Sequence, residues 1–294
     1  MVNPVRKGRG GVGIVKTSER KKSTRSAEPG SRDKGQGEKR CFRRQARDTE
    51  PVEAQGQPLP GPRPSSRKAE RLTIAIDGPS GAGKSTVARS LAKRLDYIYI
   101  DTGAMYRSLA LRVKEKGISP ENDRALKRLA LSLGIRFATE GEQTRVFCED
   151  EDITESIRTP EISRLASSIS KQKGVREALV QMQREMGKEG GVVLEGRDIG
   201  TVVFPDADVK FYLDAESNER IRRRYDEMIE KGAKVGLEET REELLQRDYN
   251  DTHRVYSPLK KASDAMFIDS THRSVEEVVE EMVRVIEQEV RNDG

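Results

Sequence analysis

A glycine-rich segment with a lysine and two hydroxyls follows an apolar stretch, and its residue types suit phosphate binding. Gly78, Gly83, Lys84 and Ser85 match the spacing G-x-x-x-x-G-K-[ST]. In such a loop the backbone N–H groups surround phosphate oxygens, the lysine bridges the terminal phosphates and the hydroxyl binds Mg²⁺. The predicted phosphate-binding residues are Gly78, Pro79, Ser80, Gly81, Ala82, Gly83, Lys84, Ser85 and Thr86. The sequence therefore predicts a nucleoside triphosphate site, with Ser85 as a metal ligand.

The segments around this loop supply the strand and the helix that the motif requires. Residues 72–76 predict a buried strand, and residues 86–95 predict a helix with Val87, Leu91 and Leu95 on one face. A second strand at 97–100 leads into a helix that opens at 101–107. Later runs predict strands at 192–194, 209–213 and 266–268 and a packing helix at 274–291. This alternation indicates an α/β fold with a central parallel sheet flanked by helices.

A long segment between the second and third predicted strands, about residues 119–190, has its own pattern. Short β-like pieces occur at 135–138, 144–148 and 152–153, followed by helical stretches at 164–170 and 175–186. Unstructured connections of this length are uncommon in compact domains. We therefore expect an α+β insertion that binds a substrate.

The first 70 residues differ from the rest in charge and composition. They carry 18 Lys and Arg against 8 Asp and Glu, a net charge of +10, whereas the whole chain is +5 and the remainder is therefore −5. Few large apolar residues occur there, so we predict a disordered basic tail. One interpretation is a nucleic-acid-binding arm. The acids Glu19, Glu28, Asp33 and Glu38 instead favour a solvated extension or an upstream translation start over an arm or a transit peptide.

Cysteine, histidine and apolar content exclude several classes of protein. Cys41 and Cys148 have neither metal-ligand spacing nor a disulfide framework, as expected in a reducing cytoplasm. The only histidines are His253 and His272, which we expect at the surface. No apolar run is long enough for a membrane span, so we expect no membrane partner. We also expect a cytoplasmic monomer.

Three further motifs stand in order along the chain. They are DTGAMYR at 101–107, EGRDIGTVVFPDA at 195–207 and RDYNDTHR at 247–254, with VREAL at 175–179 between the first two. Together with the phosphate loop they closely resemble bacterial cytidylate kinases across residues 71–294. The resemblance implies a P-loop kinase fold with an enlarged acceptor-binding insertion and a small helical lid at about 216–236. It also implies phosphoryl transfer from ATP, with Mg²⁺, to CMP or dCMP.

The resemblance also carries roles onto individual positions. It implies that Lys84, Arg107 and Arg197 act on the transferring phosphates, which suits planar guanidinium groups. It puts Asp198 at the cytosine, where a carboxylate accepts from the N4 amine and repels uracil. Arg247 and Asp251 match pentose contacts, and we expect Arg254 three positions further round the same helix face. The implied acceptor-binding residues are Thr102, Tyr106, Arg107, Ser167, Arg176, Arg197, Asp198, Arg247, Asp251 and Arg254, and those of the lid over ATP are Arg220, Arg223 and Arg224.

Other interpretations of these motifs differ in testable ways. Charge runs such as the one at 220–224 are often only a solvated helix face. Another small-molecule kinase with the same core would lack the acceptor motifs above. A nucleotide-dependent switch would carry an Asn-Lys-x-Asp segment, which this sequence lacks. An RNA-binding role of residues 1–70 could coexist with kinase activity.

Overall fold

A computed structural model describes residues 71–140 and 143–292. The predicted basic tail at 1–70 lies outside the described residues. The strands are β1 (Thr73–Asp77), β2 (Ile98–Asp101), β3 (Ile135–Glu140), β4 (Gln143–Cys148), β5 (Glu151–Asp152), β6 (Val192–Gly196), β7 (Val209–Asp214) and β8 (Met266–Asp269). The helices are α1 (Lys84–Leu95), α2 (Thr102–Glu115), α3 (Asp123–Ser132), α4 (Pro160–Ile169), α5 (Lys173–Gly187), α6 (Ser217–Glu230), α7 (Leu237–His253) and α8 (Val275–Asn292).

Five parallel strands form the central sheet in the order β2-β6-β1-β7-β8. Thr73 of β1 is in register with Val192 of β6, and Ile74 is in register with Val209 of β7. The predicted parallel sheet is confirmed. After β1 the chain crosses to β2 on one side, and after β6 it crosses to β7 on the other. Open sheets of this kind bind ligands outside the carboxyl ends of their strands, where the connections diverge.

The alternation of side chains along β1 divides the core between the two faces of the sheet. Ile74 and Ile76 pack in a cluster with Leu91 of α1 and Met282 of α8. Ala75, between them, belongs to the opposite cluster, which is formed with α2, α5 and the insertion. The sheet is therefore covered on both faces, as the near-continuous apolar character of its strands requires.

The insertion between α2 and β6 has its own small antiparallel sheet, β3-β4-β5, as the three β-like pieces predicted. Helix α3 was not among the predicted elements. Its sequence does carry the signal, since Leu126, Leu129 and Ala130 have helical spacing and are buried. Asn122 caps it by accepting a hydrogen bond from the Ala125 N–H. Within the described part of the chain, no helix combines the length and apolar character needed to cross a membrane.

Gly78 is the position at which the backbone leaves no room for a side chain. Its φ is +153°, and a Cβ there would lie 1.9 Å from the Leu213 carbonyl oxygen on the neighbouring strand. We expect Gly78→Ala to lower the free energy of unfolding by more than about 2 kcal/mol, because backbone atoms must shift. Denaturant unfolding monitored by circular dichroism measures this.

Gly134→Ala is the matched control, since the nearest atoms to its Cβ would be 4.0 Å away. We expect a change within about 0.5 kcal/mol for that variant. Equal stability losses in the two variants would contradict the steric explanation.

Candidate active site

The phosphate loop wraps between β1 and α1 with three glycines at positive φ. The angles are +153° at Gly78, +79° at Gly81 and +87° at Gly83, in line with the conformational freedom that the motif uses. Gly83 is the N-cap of α1, so the first N–H groups of that helix face the loop. This is the anion-binding geometry of a helix N-terminus.

Lys84 is buried at the first position of α1, 5% exposed, and its Nζ donates to the Pro79 carbonyl oxygen at 2.6 Å. Burial and the positive charges of Arg197 and Arg247 together lower the pKa of Lys84 to about 7, against the opposing effect of Glu195. An anion in the loop would supply the counter-charge that this lysine lacks.

The Ser85 hydroxyl and the Glu195 carboxylate lie next to each other beside the phosphate loop. The Ser85 hydroxyl donates to Glu195 Oε1 at 2.5 Å, and the Tyr99 hydroxyl donates to the same oxygen at 2.9 Å. Glu195 is buried at the carboxyl end of β6 and was absent from the predicted site. An acid that ends an apolar strand is the signal that could have found it. A hydroxyl and a carboxylate are suitable ligands for Mg²⁺.

Asp77 connects the phosphate loop to the motif after β6. Its two carboxylate oxygens accept from the consecutive N–H groups of Ile199 and Gly200, both at 2.8 Å. Those residues begin a π-helical turn, Ile199–Val203, that directly follows Asp198. Burial raises the pKa of Asp77 to about 6, although the two backbone hydrogen bonds oppose the shift.

Two carboxylates hold three of the acceptor-side arginines. Asp198 pairs with Arg176 through a short hydrogen bond and lies 3.6 Å from Arg254. Asp251 accepts from Arg197 Nε at 2.8 Å and lies 3.5 Å from Arg254 Nη1. Despite its burial, Asp251 has a lowered pKa because the positive charges of Arg197, Arg247 and Arg254 stabilise its carboxylate.

Arg247 differs from its neighbours because no hydrogen bond or ion pair holds its guanidinium within the described part of the chain. Burial and the charge of Arg197 together lower the pKa of Arg247 to about 10. The buried hydroxyl of Tyr106 likewise has no hydrogen-bond partner. Burial raises the pKa of Tyr106 to about 12, against the opposing charge of Arg176. Both groups face the cleft and remain available to a ligand.

One cleft of about 850 Å³ contains most of the predicted site. Its lining includes Ser80, Gly81, Ala82, Gly83, Lys84, Ser85, Thr86, Thr102, Tyr106, Arg107, Ser167, Arg176, Arg197, Asp198, Arg223, Arg224, Arg247, Asp251 and Arg254. Gly78, Pro79 and Arg220 do not line it. Gly78 and Pro79 belong to the turn that begins the phosphate loop.

Arg220 has a different place from the one predicted. It is 6% exposed, and its guanidinium donates to the carbonyl oxygens of Ser80 and Ala215, each at 3.0 Å, and to Asp248 at 2.5 Å. Arg220 therefore supports the phosphate loop from behind, whereas Arg223 and Arg224 face the cleft. The basic run on α6 is only partly a solvated face.

Two other expectations meet a definite outcome. Arg254 does not lie on the helix of Arg247 and Asp251, because α7 ends at His253 and Arg254 already has extended backbone. It still reaches Asp251, so the contact is kept. His253 and His272 are both exposed, as predicted. In the described ranges, no group of three or more His, Cys, Asp and Glu residues could ligate a metal.

A parallel sheet with a lysine-bearing phosphate loop at its carboxyl edge, facing an arginine-lined cleft, defines a P-loop kinase. The family model described as cytidylate kinase matches residues 74–288. A cytidylate kinase of Geobacter sulfurreducens is 53% identical over 75% of this chain and 94% of its own length, and one of Bacillus cereus is 47% identical over 74% and 96%. A solved shikimate kinase of Acinetobacter baumannii aligns over 74% of this chain and 93% of its own at 15% identity and a TM-score of 0.39. The chain belongs to the cytidylate kinase family, and it is an enzyme that phosphorylates a nucleoside monophosphate.

The low pKa of Lys84 makes nucleotide binding a proton-linked event. At pH 8 a group with a pKa of about 7 is mostly neutral, and diphosphate oxygens beside it favour the ammonium form. We expect ADP binding to take up close to one proton at pH 8. Titration calorimetry in buffers of different ionisation enthalpy measures the number of protons.

Lys84→Met serves as the control because it keeps an unbranched side chain without the titrating group. Proton uptake should disappear in that variant. ADP should still bind to it, although more weakly than to the wild-type protein. Uptake of the same size in both proteins would assign it to another group.

Proposed function

We propose that the enzyme transfers the γ-phosphoryl group of ATP to CMP and dCMP. One observation carries the proposal: a single cleft joins the phosphate loop to a group of arginines, and the buried Asp198 lies among them. The phosphate loop and the arginines suit two phosphate groups that must be aligned and neutralised. The buried carboxylate of Asp198 suits a pyrimidine that carries an amine donor. The cytidylate kinases that resemble this chain support the same acceptor.

On the donor side, the loop N–H groups and Lys84 bind the ATP phosphates. Ser85 and Glu195 are the residues that would hold Mg²⁺, which supplies charge neutralisation at the transferring phosphates when bound. The hydrogen bond between the Ser85 hydroxyl and Glu195 puts both groups side by side next to the phosphate loop. Arg223 and Arg224 approach the phosphates from the first turns of α6.

On the acceptor side, Arg107 and Arg197 hold the α-phosphate. Asp101 orients Arg107 at 2.8 Å, and Asp251 orients Arg197 at the same distance, so both guanidinium groups are positioned before a ligand arrives. Arg247 contributes a charge that no carboxylate pairs with directly among the described residues. The acceptor phosphate is ionised near neutral pH and needs no strong base to attack.

Asp198 reads the base, and Ser167, Arg176 and Tyr106 complete that end of the cleft. A carboxylate accepts from cytosine N4, whereas the O4 of uracil would face it as a second acceptor. Because Asp198 is 5% exposed, the mismatch is not relieved by water. Asp251 is available to the pentose through the oxygen that faces Arg254. Thr102 acts indirectly, since its hydroxyl donates to the Glu195 carbonyl oxygen at 2.6 Å.

A panel of acceptors tests this function directly. We expect ADP release from ATP with CMP and dCMP, and kcat/KM values at least about 100-fold lower with UMP and AMP, because a buried polar site rejects a base that cannot pair. A coupled ADP-release assay on the full chain measures all four. AMP as the preferred acceptor would contradict the proposal.

Asp198→Asn tests base recognition separately from folding. The carboxamide keeps the size of the side chain but offers both an N–H donor and an oxygen acceptor, so it can pair with either pyrimidine. We expect the CMP to UMP ratio of kcat/KM to fall by about tenfold or more.

Asp251→Asn is the matched control, since it removes another buried carboxylate that pairs with Arg254 and has no proposed contact with the base. It should lower turnover of CMP and UMP in proportion. A CMP to UMP ratio that stays at its wild-type value in Asp198→Asn would mean that Asp198 only orients Arg176 and Arg254.

A further inference from the structure

The carboxylate of Glu195 accepts two hydrogen bonds, and both reach the same oxygen. The hydroxyls of Ser85 and Tyr99 donate to Oε1 at 2.5 Å and 2.9 Å. In the described part of the chain, no hydrogen bond reaches Oε2. Glu195 is 5% exposed and lines the cleft. Oε2 is therefore the oxygen that can bind a cation without first losing a hydrogen bond to the protein.

Tyr99 reaches Glu195 because of the register between β2 and β6. Tyr99 is level with Val193, two residues before Glu195 on β6. Residues two apart on a strand point to the same face of the sheet, so the side chains of Val193 and Glu195 share the face that α1 covers. Tyr99 packs on this face beside Val193. Its hydroxyl therefore approaches the carboxylate from behind, within the core.

The core fixes the position of the Tyr99 hydroxyl and keeps it protonated. Tyr99 is 5% exposed, its ring packs in the cluster that contains Leu91, and the Arg89 guanidinium lies 5.6 Å from the ring centre. Burial and the charges of Glu195 and Asp101 together raise the pKa of Tyr99 well above its usual value. The hydroxyl therefore remains a hydrogen-bond donor near neutral pH.

Ser85 and Tyr99 differ in what a bound cation would require of them. The Ser85 hydroxyl would itself hold Mg²⁺, so its hydrogen bond to Glu195 must give way when the cation binds. Tyr99 does not line the cleft, so its hydrogen bond can persist. The Thr102 hydroxyl fixes the backbone of the same residue by donating to the Glu195 carbonyl oxygen at 2.6 Å. Among the described residues, Tyr99 is thus the donor that can hold the carboxylate throughout metal binding.

We propose that Tyr99 is a positioning residue for the divalent cation, because its hydroxyl holds Oε1 of Glu195 and leaves Oε2 for Mg²⁺. The inference rests on the proposed role of Ser85 and Glu195 as Mg²⁺ ligands and is independent of the acceptor nucleotide. Groups that orient a metal ligand typically change metal affinity by about 10- to 100-fold when they are removed.

Tyr99→Phe removes the hydroxyl and keeps the ring, so it tests the proposal with little change in packing. Mn²⁺, a paramagnetic cation that oxygen ligands also suit, is titrated into the full chain and followed by electron paramagnetic resonance. ADP is kept below the protein concentration, so that the nucleotide is bound to the enzyme. We expect Tyr99→Phe to weaken Mn²⁺ binding at least about fivefold. ADP binding without metal, measured by calorimetry, should be unchanged.

Tyr97→Phe is the matched control, because it removes a hydroxyl near the opposite end of the sheet. The Tyr97 hydroxyl accepts from the Leu72 N–H at 3.1 Å, and Tyr97 does not line the cleft. This variant should bind Mn²⁺ as the wild-type protein does. Thermal midpoints measured by circular dichroism establish that both variants are folded.

A double variant separates positioning of the carboxylate from a purely structural role. Glu195→Gln should itself weaken Mn²⁺ binding, because it removes a charged ligand. If Tyr99 acts through Glu195, adding Tyr99→Phe to Glu195→Gln causes no further loss, since residues of one network are not additive. Losses that add in full would overturn the proposal. So would an equal loss of ADP binding without metal in Tyr99→Phe.

The same titrations distinguish failure of this inference from failure of the metal site. Unchanged Mn²⁺ affinity in Tyr99→Phe together with a loss in Glu195→Gln would overturn the role of Tyr99 and leave Glu195 as a ligand. Unchanged Mn²⁺ affinity in Glu195→Gln would overturn both.

Discussion

The carboxylate of Asp77 holds together the two segments on which the active site depends. Asp77 ends β1, which leads into the phosphate loop, and its carboxylate accepts hydrogen bonds from the N–H groups of Ile199 and Gly200, which lie within the motif at 195–207. One buried side chain thus fixes the distance between the donor phosphates and Arg197. Burial raises the pKa of Asp77 to about 6, and the two backbone hydrogen bonds and the charge of Lys84 oppose this shift, so that the ionised carboxylate still prevails at pH 7.

Around this fixed point the cleft carries more positive than negative charge. Asp198 and Asp251 each serve two arginines, and Arg247 has no partner among the described residues. The lowered pKa values of Lys84 and Arg247 follow from their burial and from repulsion among these cations. Phosphate groups would reverse that repulsion. The site is therefore organised for anions before they bind, which is the electrostatic preorganisation that phosphoryl transfer requires.

The sequence predicts the parallel sheet and the phosphate loop well, because each depends on local spacing that a few residues define. It does not predict contacts between distant segments. Arg197 and Asp251 are 54 positions apart, and nothing in either motif indicates that they pair. Glu195 was missed because a single acid at the end of an apolar strand has no characteristic spacing. Helix α3 is different, since the helical spacing of Leu126, Leu129 and Ala130 is a local signal that suffices to predict it.

Arg220, Arg223 and Arg224 illustrate why a charge run alone does not define a surface. Arg223 and Arg224 lie on α6 at spacings of three and four residues from Arg220, which puts all three near one another on the helix surface, yet their guanidinium groups bind different partners. Arg220 binds the Ser80 carbonyl oxygen, and a Cβ at Gly81 would lie 2.7 Å from the Arg220 carbonyl oxygen, so this end of α6 is packed directly on the loop. Arg223 instead donates to the carbonyl oxygens of Ser270 and Thr271, and Arg224 pairs with the half-exposed Glu227. The start of α6 is thereby tied to the phosphate loop. If this helix closes over a nucleotide, we expect the pivot to lie beyond Arg223, because Arg220 and Arg223 are both anchored whereas the contact of Arg224 with Glu227 is exposed to solvent.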